Sequence, residues 1–95
     1  MDALLPLLAD KSRTVRRSTL IALGQIGDER AVTSIISMAT NEQTSEKAHA
    51  IDALRAIGGK SAITALELFR EDSSFFVRRR ARTALRETKK TCDVT

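Results

Sequence analysis

The sequence specifies an all-α fold, a solenoid of stacked helix pairs, on three observations. The first is internal repetition. Leu23, Leu54 and Leu85 are spaced by 31 residues, and the same step carries Ala22 to Ala53 and Ala84, Leu4 to Ile35 and Leu66, and Leu7 to Met38 and Phe69. The second is helical spacing of apolar residues: Val15, Thr19, Ala22, Leu23 and Ile26 fall on one face of a 3.6-residue helix. The third is the lack of strand signals, with no sustained alternation and no Asn-Gly or Asp-Gly turn. The 95 residues form one domain of three units, about 1–30, 31–61 and 62–90, with a tail at 91–95.

Each unit divides into two helices, predicted over 2–9 and 13–26, 29–39 and 44–57, and 61–70 and 75–89. In the first unit, Ser12 is placed as an N-cap and Gly27 as the glycine that ends the helix. Asp28 and Glu29 suit the positive end of the helix dipole that follows, whose apolar positions are Val32, Ile35, Ile36 and Ala39. The second unit repeats the scheme with Ala50, Ala53, Leu54 and Ile57 before Gly58-Gly59, and the third with Val77, Ala81, Ala84 and Leu85. Such short helix pairs bury their apolar faces only by stacking, and about three pairs are the minimum. A thin two-layer core of Ala and Leu has little use for large rings, which fits an aromatic content of 3%.

Composition removes several classes. A hydrophobic content of 42% excludes disorder, and a lone cysteine, Cys92, excludes a disulfide framework within the chain or a multi-cysteine zinc site. No run has the length of a membrane span and no signal peptide opens the chain, so a cytoplasmic protein without membrane partners is expected. Cys92, in a polar tail, reads as an exposed thiol without a function.

The run Val15-Arg-Arg-Ser-Thr-Leu-Ile-Ala-Leu-Gly-Gln-Ile-Gly-Asp-Glu-Arg-Ala-Val32 resembles the short HEAT-like repeats of the phycobilin-lyase type; the second unit keeps Asp52-Ala-Leu-Arg-Ala-Ile-Gly58, and the third Val77-Arg78 and Ala84-Leu85. The resemblance implies a right-handed α-solenoid of three HEAT-like pairs, about six helices. It also implies a structural ladder in which Asp10, Asn41 and Asp72 meet Arg16, Lys47 and Arg78. The middle rung is expected to be the weak one, because Asn41 lacks a charge and Lys47 lacks the guanidinium fork. One family of this architecture, the deoxyhypusine hydroxylases, binds di-iron through His-Glu pairs. Here the corresponding slots hold Arg17-Ser18, Ala48-His49 and Arg79-Arg80, so that chemistry is excluded. His49 reads as a helix-surface residue at the edge of the buried face. The glycines read as helix ends rather than a phosphate cradle. No catalytic, cofactor or metal constellation is found, and the chain is read as a non-enzyme.

Charge is the informative feature. The net +4 divides as +1, 0 and +3 over the three units, and residues 76–90 hold seven basic side chains against Glu87. In a solenoid of this type the second helices line the concave side, where the helical wheel places Arg13, Arg17, Arg55, Arg79 and Arg86. The leading reading is a scaffold whose basic concave face binds an acidic protein segment. Nucleic-acid backbone binding and an accessory role in bilin attachment or removal are the alternatives; the aromatic poverty weighs against the former. The ends differ. Arg82, Glu67, Arg70 and Thr88 replace apolar residues of the earlier units and read as a polar cap. Leu4, Leu5 and Leu8 leave an apolar edge at the other end, read either as a self-association surface of a homo-oligomer or as the place where further repeats of a longer protein would stack. Phe75 and Phe76 either cover the core end, the preferred reading, or form an exposed handle.

Overall fold

The computed structural model describes residues 4–40 and 46–93, with side chains to Thr88. Its elements are a 3-10 helix, Leu5–Ala9, followed by α1 Arg13–Ile26, α2 Ala31–Thr40, α3 Lys47–Ile57, α4 Gly59–Phe69 and α5 Phe75–Asp93. Every regular element among the described residues is helical. Residues 2–3 and 44–45 of the expected helices lie outside the described residues.

The boundaries follow from local chemistry. The Ser12 Oγ accepts the Val15 N–H at 3.4 Å, opening α1, and Gly27 closes it with a left-handed φ of 72° while its N–H donates to the Leu23 carbonyl. One residue, Gly58, separates α3 from α4, and its φ of 69° lies where only glycine is unstrained. Pro6 stands in the first turn of the N-terminal element, which forms a five-residue 3-10 helix rather than the longer helix expected.

The elements form two layers. α1 packs on α3 and α3 on α5, while the 3-10 helix, α2 and α4 make the other layer, giving a body of 37 × 29 × 17 Å. Between the layers lie Leu20, Leu23, Ile35, Ile51, Leu54 and Leu66, all fully buried. Small residues, among them Ala50, Ala53, Ala81 and Ala84, bring the helices close together.

Two assignments made from periodicity are corrected. Ile26, expected in the core, is 51% exposed, whereas Thr88, expected as a polar cap at the same repeat position, is 4% exposed. Length accounts for the difference. A five-residue 3-10 helix spans about 10 Å and α1 about 21 Å, so the last turn of α1 is left uncovered. The corresponding turn of α5 has a full-length α4 against it, and Thr88 satisfies its hydroxyl by donating to the Ala84 carbonyl at 2.8 Å.

Candidate functional site

Polar contacts tie the loops before α1 and α5 to those helices. Before α1, the Asp10 carboxylate accepts the Ser12 N–H at 2.8 Å, and Arg16 donates to the carbonyls of Asp10 and Lys11 at 2.7 and 3.1 Å. Before α5 the same device recurs: Asp72 accepts from the Ser74 N–H at 2.8 Å, and Arg78 donates to the carbonyls of Asp72 and Ser73 at 2.8 and 3.0 Å. The arginines thus latch their own loops through backbone oxygen rather than pairing with the aspartate carboxylates. Connections between units come from other groups. Arg16 reaches Glu46 at 3.5 Å, and Lys47 reaches Asp72 at 2.6 Å. The Lys47 ammonium, together with the Ser74 N–H, holds the Asp72 carboxyl below its ordinary range. Lys47 thus makes the shortest ion pair between units among the described residues, with Asp72 of the next unit. Asn41 lies outside the described residues.

The face built by α1, α3 and α5 carries two grooves. The first, about 330 Å³ between α1 and α3, is lined by Arg17, Ile21, Gly24, His49, Ala53 and Ala56 among others. The second, about 410 Å³ between α3 and α5, is lined by residues including Asp52, Arg55, Phe76, Arg79, Arg80 and Glu87. One 31-residue step carries the first into the second: Ile21 becomes Asp52, Gly24 becomes Arg55, His49 becomes Arg80 and Ala56 becomes Glu87. They are successive copies of one groove with different linings. In the first, Gly24 lies in the last turn of α1. A Cβ there would meet the Ala56 Cβ at 3.2 Å, so the glycine permits close approach of α1 and α3. In the second, Arg80 grips Asp52 with two contacts of 3.2 and 3.0 Å, and Arg55 meets Glu87 at 3.0 Å. Both pairs are about half exposed.

These pairs change the expected basic strip. Arg13 is taken by Glu46 at 3.2 Å and Arg55 by Glu87, whereas Arg17, Arg79 and Arg86 are exposed and make no ion pair among the described residues. The sequence reading omitted Arg80. Its signal was available: Asp52 and Arg80 stand 28 residues apart, close to one repeat, on adjacent second helices. In the α1–α2 turn, the Asp28 carboxyl is held at about 2 by hydrogen bonds from the Arg30 side chain and backbone N–H. His49 is half-buried in the first groove, with no group of three metal-binding side chains around it or elsewhere among the described residues.

The model of HEAT repeats matches residues 1–86. The chain belongs to the HEAT-repeat family. No curated protein matches it. HEAT-repeat proteins are typically non-catalytic scaffolds, and the helix pairs described above are the arrangement that the family uses. Among the described residues no helix is long and apolar enough to cross a membrane.

The ends of this HEAT-repeat chain differ from expectation in detail. Leu8 is 3% exposed and sits in the core, and Leu4 and Leu5 are half-buried against it, so this trio does not form an open edge. The exposed apolar residues on that side are Leu7 and Ile26. Phe75 and Phe76, in edge-to-face contact, are 54% and 80% exposed, so they do not cover the core end as preferred from the sequence. The side chains of Lys89, Lys90 and Cys92 lie outside the described residues.

Proposed function

We propose that the α1–α3–α5 face is a docking surface for an acidic segment of a partner protein. The observation that supports this reading is the set of arginines without ion pairs among the described residues, Arg17, Arg79 and Arg86, beside Arg13, Arg55 and Arg80, which are paired. A guanidinium without a carboxylate partner is ready to take a two-pronged contact from an incoming one, and such contacts are about twice as strong as neutral hydrogen bonds. The paired cations Arg13 and Arg55 would gain little from a ligand, since each would have to exchange one carboxylate for another.

Fluorescence anisotropy tests the reading with a labelled pool of random peptides rich in Asp and Glu. Peptides of about twelve residues, when extended, match the 37 Å long axis of the body. Binding is expected at low salt, with weakening as ionic strength rises. It should be lost when Arg17, Arg79 and Arg86 are changed together to Ala. Duplex DNA is the second arm. Binding to DNA of equal or greater strength would assign the arginines to phosphate instead, and no binding to either would remove the reading.

A further inference from the structure

We infer that the segment recognised here carries an aliphatic anchor as well as acidic residues, with the aliphatic side chain seated in the α1–α3 groove. The inference rests on the acidic-segment reading and adds to it. Its starting point is the contrast between the two successive grooves. At the position where the second groove has Asp52, covered by Arg80, the first has Ile21, an aliphatic side chain that is 56% exposed, with Arg17, Gln25 and His49 on the groove's rim. Gly24, Ala53 and Ala56 form a floor of small residues beside it, and the arginine that would fill position 24 in the other units is missing. An aliphatic side chain placed there buries apolar area on both sides without breaking an ion pair. In the second groove the same side chain would have to displace Arg80 from Asp52 or Arg55 from Glu87.

Charge fixes what flanks the anchor. Arg17 stands on the wall of the first groove and Arg79 on that of the second, and both are exposed and without ion pairs among the described residues. Adjacent helices pack about 8–10 Å apart, and an extended chain advances about 3.3 Å per residue. The α1–α3 groove lies about one and a half helix spacings from α5, and an extended segment turns alternate side chains toward the face, so a carboxylate meets Arg79 about four residues from the anchor. The expected motif is one Leu, Ile, Val or Met and an Asp or Glu about four positions away.

Selection from a displayed library of random peptides, followed by affinity measurement on the enriched sequence, tests this. On the full chain, replacing the anchor of the selected peptide by Ala should weaken binding about tenfold, the scale of two buried methylenes. The Ile21→Asn variant should lose the distinction between the peptide and its Ala version, while keeping the acidic preference; melting of this exposed-site variant, followed by circular dichroism, should match that of the parent. Ala56→Gln, which fills the groove from the other side, should do the same. Acidic enrichment without an aliphatic position overturns the inference and leaves the acidic-segment reading standing. An anchor whose loss is felt equally by the parent and both variants overturns the inference by placing the anchor elsewhere. Absence of acidic enrichment overturns the reading on which the inference rests, and the inference with it.

Discussion

The α1–α3 and α3–α5 seams are the same backbone junction made twice, and they are held by different means. The first is closed by small residues, with Gly24 against Ala56, and leaves Ile21 facing outward. The second places charged residues at the equivalent positions and ties them in pairs, Asp52 with Arg80 and Arg55 with Glu87. The buried apolar positions are shared by both seams, while the groove rim varies and is where function can be written. The pairs in the second seam also show why a count of basic residues overstates a basic surface.

The largest effect is expected at the residue that serves both seams. Leu54 is fully buried in α3, which packs against α1, α2, α4 and α5. Leu54→Ala should cost about 2–5 kcal/mol in urea unfolding, more than Leu85→Ala at the equivalent position of the last repeat. Leu8→Ala belongs to the same class, since Leu8 is core. Gly24→Leu comes next. Overpacking against Ala56 should cost about 1–3 kcal/mol, whereas a change confined to the exposed rim, such as Ile21→Asn, should leave stability nearly unaltered.

Acid should act on the Lys47–Asp72 link. The folded carboxyl of Asp72 is depressed, so its contribution is present above the unfolded carboxylate range near pH 4 and is lost as pH falls through the folded value. Asp72→Asn keeps an acceptor for the Ser74 N–H but loses the charge that Lys47 meets, and the acid limb of a stability–pH curve should become shallower. The smallest effect is expected for the half-exposed pairs of the second seam: Asp52→Asn or Glu87→Gln should cost at most about 1 kcal/mol and less at high salt.

The sequence made the architecture legible because repetition and capping are local signals. The 31-residue step, Ser12 and Gly27 located the repeats and bounded α1. The site was legible only in part. Arg17, Arg79 and Arg86 could be placed on the right helices, but not separated from Arg13 and Arg55, because their partners Glu46 and Glu87 lie about one repeat away and meet them only at particular helix rotations. The exposure of Ile26 and burial of Thr88 were hidden for a similar reason: the covering element differs in length, not the residue's place in the period. The close approach at Gly24 was not legible because it is set by Ala56 on another helix.

The most direct test of the claim that the unpaired arginines define the docking face compares them with the paired ones. The affinity for a selected acidic peptide should fall about tenfold in Arg17→Ala and in Arg79→Ala, the scale of one lost charge-assisted hydrogen bond, and change little in Arg13→Ala and Arg55→Ala. Equal losses at all four positions would mean that the face acts through its total charge, and would contradict the account.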